Sequence, residues 1–549
     1  METIASNGRS THSVTNQPPP LVGYDVAAGD AALLEGLRRE GAGWDESELH
    51  GLGALAGSEE AIAWGFEANR HPPEMRTHDR YGHRIDEVAF HPSWHRLMEV
   101  AASHGLHAAP WRDPRPGAHV ARAARFYVWS QVESGHGCPI SMTYASIPVL
   151  RKNDVLATRF EATFAAPVYE PVLRALEQKR GALCGMAMTE KQGGSDVRAN
   201  TTRAEPLAGD AYALTGHKWF CSAPMCDAFI VLAQAPGGLT CFFLPRVLPD
   251  GTRNGLRLQR LKDKLGNRSN ASAEIELDGA FGLRIGEEGR GVATIIAMVA
   301  HTRLDCIVGT AALMRQAFVQ AAHHARHRAA FGALLVDQPL MRNVLADLAL
   351  ESEAATALML RLAGSIDRSS DEREAAFGRI GIALGKYWIC KRGPSHTGEA
   401  LECLGGNGYV EESIMPRLYR EAPVNSIWEG SGNVNALDLL RALASRPAAL
   451  DAYLAEIALA RGADARLDRA ASEVRDAFAV DGETREGQAR RIVERMALVL
   501  QGSLLVRHAP PAVADAFCAA RLGGEGGHAF GTLPSGVDTR TIVDRAWPA

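Results

Sequence analysis

Lysine is scarce in this chain. Eight of its 59 cationic residues are Lys, at 152, 179, 191, 218, 262, 264, 386 and 391, and the rest are Arg. So broad a bias follows composition, and no Arg is read as a phosphate contact on its type alone. Cysteine occurs nine times, with no CxxC spacing and in an odd number. That excludes a disulfide framework and suits reduced thiols in a cytoplasmic protein. The polar start METIASNGRSTHSV lacks the apolar stretch of a secretory signal. The longest apolar run of note, Val292 to Ala300, is far too short to span a bilayer, so no membrane partner is expected. No GxGxxG or Walker loop opens a βαβ unit, so a dinucleotide would be held in another way. His323 and His327 sit four apart without an HExxH pattern, which reads as a polar helix face, and no metal is expected. The net charge of −5 does not advertise a nucleic-acid binder, although a small basic face can hide in an acidic total.

The composition that remains is globular. Apolar residues make up 46% and charged residues 22%, which rules out a disordered or collagen-like chain. A length of 549 suggests three or four units of about 150 residues. Residues 1 to about 20 end in Gln17-Pro18-Pro19-Pro20 and read as an extended arm lying over another surface. From Ala31 to about Arg180 the pattern is mainly helical, with apolar residues at helical spacing over Ala121–Val132 and Val155–Leu176. Short β-prone runs follow at 212–215, 229–232, 240–244 and 273–277, bounded by Gly- or Asp-rich turns. Helical periodicity returns over 292–328, 339–363 and 374–404, and long helices with short connections imply a bundle. Another helix starts near Ser431, and further helices begin at Pro447, run through Ile492–Leu500, and cover Pro511–Leu522. The predicted fold is mainly α with a central β-domain. Its units are an arm and helical domain (1–182), a β-domain (183–290), a helical bundle (291–446) and an extra C-terminal helical domain (447–549).

Five segments carry chemistry, and each has a plain alternative. MAMTEKQGGSDV (186–197) offers Thr189, Ser195 and glycine amides to a phosphate or a heterocycle edge, or is a strand and a glycine turn. GHKWFCSA (216–223) places Phe220 and Ser222 on a neighbouring strand, or its aromatics are core. RAAFGALLVDQ (328–338) sets Arg328 to clamp a pyrophosphate bidentately, or leaves it as a surface cation at a helix end. LECLGGNGY (401–409) allows close backbone approach to a ligand, or only ends a helix. IWEGSGN (427–433) puts Glu429 beside Trp428 at a helix start, as a dipole partner or as an acid–base group.

Taken together in this order, over roughly residues 150 to 445, these segments resemble the acyl-CoA dehydrogenase flavoprotein family. The resemblance implies the family's helix–β-barrel–bundle fold, with FAD between the β-domain and the bundle. Met186, Thr189, Gly194 and Ser195 would then lie along the flavin, and Phe220, Cys221 and Ser222 would meet its ring. Arg328 and Gln338 would reach from a neighbouring subunit to the pyrophosphate and adenosine. Ile427, Trp428, Ser431 and Asn433 would complete the site, and Glu429 would be the base. A carboxylate suits that role, because it takes the α-proton of a thioester while the β-hydrogen leaves as hydride to the flavin. Burial beside an aromatic raises its pKa toward working pH.

Departures narrow the resemblance. Lys191-Gln192 stands where the family has Pro-Gly, Ala300 where an Asp commonly holds the CoA arm, and Glu402 where a Gln meets the adenine. The base of isovaleryl-CoA dehydrogenases would fall at Thr302, which cannot serve, while the family's Arg is kept at 303. MTEKQGGSDV, PRLYREAPVNSIWEGSGN, PAVADAFCAARLGG and TNQPPPL resemble the AidB branch of bacterial alkylation-response flavoproteins, now over nearly the whole chain. That resemblance implies a homotetramer, weak or vestigial dehydrogenase activity on an acyl-CoA or on an alkylating agent, and duplex DNA bound by the C-terminal domain. From Arg441 to the end there are 14 Arg and 14 acids, so charge alone supports a DNA face only weakly. The candidate phosphate contacts are Arg441, Arg507 and Arg521, in a set that also includes Arg490. The competing expectation is a metabolic acyl-CoA dehydrogenase acting on an isovaleryl-CoA-like substrate, with a tail used for assembly.

Overall fold

The computed structural model describes residues 11–478 and 482–547. Its N-terminal unit is mainly helical, as expected, but the helix beginning at Asp154 stops at Phe164. Pro167 and Pro171 follow directly, and proline cannot continue the hydrogen-bond ladder. Two features there were not foreseen. One is a hairpin of Glu74–His78 with Arg84–Ala89. The other is the buried helix Gly137–Leu150, hidden in the sequence by Pro139 and Pro148.

The β-domain holds seven strands. Strands Ala228–Ala235, Arg203–Pro206, Ala211–Ser222, Ser272–Ile285 and Gly238–Pro245 pair in that order, and the last pairs back onto the first. The ring closes into a small barrel, which leaves it no free edge. Cys184–Ala187 adds to one side in parallel with Ala228–Ala235, and Leu256–Leu261 lies on Ser272–Ile285. The first of these carries the motif that begins at Met186.

The bundle is built on a central helix, Gly291–His327, flanked by Pro339–Asp367 and Glu372–Cys403, with Met415–Asn425 and Gly432–Ser445 closing one side. Pro339 opens the second helix at a position where its missing N–H costs nothing. Asp371 caps the third by accepting from Arg373 N and Glu374 N. Among the described residues the central helix alone has the length and hydropathy to cross a membrane, and here it is the core of the bundle.

The C-terminal unit comprises Pro447–Ile457, Ala465–Asp476, Ala489–His508, Pro511–Phe517 and Thr539–Arg545. It is docked on the bundle. Trp388 Nε1 donates to Gln501 Oε1 at 3.0 Å, Arg361 pairs with Glu456 at 2.9 Å, and Arg521 pairs with Asp347 and Glu351.

One buried ion pair fastens the barrel to the first motif. Lys218 Nζ donates to Glu190 Oε1 at 2.9 Å and to Leu232 O at 2.8 Å, with both charged side chains fully buried. Glu190 also accepts from Thr201 N, Thr202 N and Gln192 Nε2. Burial alone would raise its pKa, but Lys218 and these donors outweigh burial and hold the carboxyl well below the usual range. Lys218→Met strands a buried carboxylate and is expected to destabilise the protein by about 3–5 kcal/mol. Adding Glu190→Gln should recover much of that loss, as read by thermal unfolding of the single and double variants.

Candidate active site

Glu429 ends a turn that few residues adopt. Its φ is +55°, in the left-handed region, and Gly430 follows at +99°. A non-glycine residue there needs outside support. Arg303 Nε donates to Glu429 O at 3.0 Å, Lys386 Nζ to Gly430 O at 3.1 Å, and Asn435 Nδ2 to Gly430 O at 2.6 Å. The carboxylate is then aimed by Thr302, whose Oγ1 donates to Glu429 Oε2 at 2.7 Å. Burial raises the Glu429 pKa, against the lowering effect of Thr302, Arg303 and Lys386. Arg303 is itself held by Asp438 at 2.7 Å. Thr302 cannot be a base, yet it orients one.

The barrel supplies the opposite wall. Met186 is buried in its strand, and Thr189 O accepts from Trp219 N at 2.8 Å, so the two barrel motifs lie side by side. Gly194 packs on the Thr189 side chain, and Ser195 is exposed. Phe220 presents half its surface, with the Lys262 ammonium 4.7 Å from its ring centre. Ser222 reaches Cys138, whose thiol also feels the Glu429 charge, so this wall and the base share one neighbourhood. Burial pushes that thiol up to about 12. Cys221 is corrected: its side chain is fully buried inside the barrel. Strand residues alternate in direction, so Phe220 and Ser222 face outward while Cys221 faces in, and only its backbone is available.

The helix-start motif sits on the same side. Ile427 is exposed, and Trp428 Nε1 is buried without a partner. Ser431 begins the helix Gly432–Ser445 without a side-chain cap, which leaves its first amides free. Asn433 Oδ1 accepts from Arg490 Nε of the C-terminal unit at 2.7 Å. A side chain at Gly432 would meet Lys391 Cε at 2.9 Å, with Arg490 close by. An uncapped helix start lined by two cations, a glycine cradle and an orphaned indole N–H fits a dinucleotide.

Arg328 and Gln338 lie elsewhere. Arg328 caps the far end of the central helix, 26 residues beyond Thr302, or roughly 39 Å along the axis at about 1.5 Å per residue. A two-rung hairpin, Ala329–Ala330 with Ala333–Leu334, follows it, and Phe331 at its tip is wholly exposed. Gln338 Nε2 donates to Ala330 O at 3.1 Å. One chain therefore holds the base and the expected pyrophosphate clamp at opposite ends of the bundle.

Residues 16–171 match the family described as the adaptive response protein AidB N-terminal domain. Residues 185–280 match the acyl-CoA dehydrogenase middle domain, and 289–444 its C-terminal domain. The AidB protein of Escherichia coli (strain K12) is 47% identical over 94% of this chain and 95% of its own. The chain belongs to the acyl-CoA dehydrogenase family, in its AidB branch. Caenorhabditis elegans ACDH-11 in complex with C11-CoA aligns with a TM-score of 0.85 at 26% identity over 95% of both chains. An acyl-CoA dehydrogenase complexed with FAD from Bacillus anthracis aligns at a TM-score of 0.59 and 20% identity over 78% of this chain and 77% of that one, a likeness of fold. FAD is the cofactor of this family, and the donor set around Gly432 and the barrel face suits it.

Of the arginines expected on DNA, Arg441 is exposed and makes no ion pair among the described residues. Arg507 and Arg521 are corrected. Arg507 pairs with Glu456 at 2.7 Å, and Arg521 is mostly buried between Asp347 and Glu351. Both neutralise carboxylates of the interior and have no charge to spare for a phosphate. Sequence reasoning passed over Lys218, Glu190 and Lys386, and it set Arg490 among the arginines expected on DNA, whereas Arg490 bonds Asn433. The one available signal was a lysine or glutamate inside an otherwise apolar motif.

The Thr302–Glu429 bond favours the ionised base, so removing it should raise the base's pKa further. In Thr302→Val the acid limb of substrate-driven flavin reduction is expected to move up by about one to two pH units, from a hydrogen bond to a charge of about 1.5–3 kcal/mol. A limb that stays where it is would remove Thr302 from this role.

Proposed function

We propose that the protein is a FAD-containing, duplex-DNA-associated member of the AidB branch, acting in the response to DNA alkylation, with weak acyl-CoA dehydrogenase activity. The observation that carries the chemistry is Glu429, fixed by Thr302 on a strained turn and set across from the Phe220–Ser222 wall. When bound, FAD supplies the acceptor for the β-hydride. Glu429 takes the α-proton of an acyl thioester, and its raised pKa makes it a better base than an ordinary carboxylate. Trp428 and the barrel wall keep water from the reacting carbons. The absence of a carboxylate at Ala300 loosens the hold on the CoA arm and favours slow turnover. ACDH-11 in complex with C11-CoA supports an acyl-CoA as the class of ligand.

The proposed assembly is a homotetramer, in which a neighbouring subunit brings Arg328 and Gln338 to the flavin site that each chain leaves incomplete. The proposed compartment is the cytoplasm, in keeping with nine free, buried cysteines. For DNA, the candidates are exposed arginines without acidic partners among the described residues, among them Arg441 at the end of the bundle and Arg469 and Arg491 in the C-terminal unit. Arg491 lies one turn before Arg495, and Arg469 one turn before Glu473. The Arg495–Glu473 bridge at 2.5 Å thus puts Arg469 and Arg491 on one face. Such residues grip phosphates without reading bases.

Glu429→Gln should abolish flavin bleaching by a panel of acyl-CoAs while FAD stays bound. Full bleaching in that variant would assign the base to another group. Arg441→Ala and Arg491→Ala should weaken every duplex alike and reduce the steep loss of affinity expected between about 50 and 200 mM salt. Undiminished DNA retention in both would leave the tail as an assembly element and favour the metabolic reading. Point variants are used because truncating the tail would also remove Arg490, which braces Asn433 at the flavin site.

A further inference from the structure

The N-terminal arm lies over its own bundle. Asn16, at φ +59°, is bound to the end of the central helix three ways. Its Nδ2 donates to Ala329 O at 2.8 Å, and its Oδ1 accepts from Ala329 N at 2.7 Å. Its backbone carbonyl accepts from Arg328 Nη1 at 2.6 Å. The side-chain amide thus pairs with the backbone as a neighbouring strand would. One residue on, Gln17 Oε1 accepts from Asn407 Nδ2 at 3.1 Å, and Pro19 O accepts from His323 Nε2 at 2.8 Å. The arm therefore joins the Arg328 hairpin to the Gly405–Gly408 loop, the two segments expected on the adenosine side of the cofactor.

Besides the arm, the hairpin is held by Gln338 Nε2 on Ala330 O at 3.1 Å and by Leu335 N on Arg328 O at 2.8 Å. It has two rungs, and its only large tip residue, Phe331, is fully exposed. A hairpin so short is not stable by its own pairing. Beneath the arm, packing on the core comes from Leu21. A cavity of about 400 Å³ separates residues 18–22 from Gln316, Gln320, His324 and Leu404. Pro18, Pro19 and Pro20 make that span stiff, so its position is set by its polar anchors. The bond to Asn16 uses only Nη1 of Arg328. The Nε–Nη2 edge makes no hydrogen bond or ion pair among the described residues, which leaves a two-donor edge unused.

We infer that Asn16 is a positioning residue for the dinucleotide grip, holding Arg328 and its hairpin in the orientation that a neighbouring subunit's FAD requires. The inference rests on the reading of Arg328 as a pyrophosphate contact. The test follows flavin release from the holoprotein by the rise in free FAD fluorescence, in Asn16→Ala, Arg328→Ala and the double variant. Asn16→Ala should release FAD about tenfold faster, the effect of losing two hydrogen bonds of about 1 kcal/mol each or slightly less. It should add nothing in the Arg328→Ala background. Unchanged release in Asn16→Ala, with faster release in Arg328→Ala, overturns the positioning role and leaves the Arg328 reading standing. Fully additive effects also overturn it, since Asn16 would then act independently of Arg328. Unchanged release in both single variants overturns the Arg328 reading and this inference with it.

Discussion

The length of one helix governs the architecture of the site. Gly291–His327 runs unbroken for 37 residues. A helix advances about 1.5 Å per residue, so its two functional ends cannot approach each other. Thr302 stands about a third of the way along it, bonded to Glu429, and Arg328 caps its far end. In the proposed assembly a cofactor held by both lies between chains, and the extended arm, the short hairpin and the glycine segment are fittings at the far end for a neighbour's site.

At the near end, a strained turn is stabilised by several weak bonds. Glu429 in the left-handed region costs on the order of 1–3 kcal/mol by itself. Arg303, Lys386 and Asn435 all donate to backbone carbonyls of this turn, and Asp438 in turn fixes Arg303. The strained turn sets the carboxylate against Thr302 of the central helix. Thr302 shows how a position can change role. With a hydroxyl in place of a carboxylate it gives a hydrogen bond to the base.

The C-terminal unit is more than an appendage. Its buried arginines, Arg507 and Arg521, neutralise Glu456, Asp347 and Glu351 inside the molecule, where an unpaired carboxylate would be costly. Arg490 reaches back to Asn433 beside the expected cofactor. The tail and the flavin site are thus joined by a hydrogen bond as well as by packing, and a change at one is felt at the other.

Much of this was legible in the sequence. Hydrophobic periodicity delimited the long helices to within a few residues, because a 3.6-residue repeat over thirty positions is hard to mistake. The order of five motifs identified the family and placed Glu429, since those residue types are dictated by local chemistry. Helix Gly137–Leu150 was missed because its prolines mimic a break; the barrel followed from the family resemblance, while the order of its strands was set by long-range pairing that no local pattern shows. Arg441, Arg507 and Arg521 look alike in a sequence of arginines. Whether each faces solvent or an interior carboxylate depends on partners up to 174 residues away. The sequence determined which residues could hold charge, cofactor and proton. Only the tertiary structure decided which of them were free to do so, because a buried charge must first be neutralised where it lies.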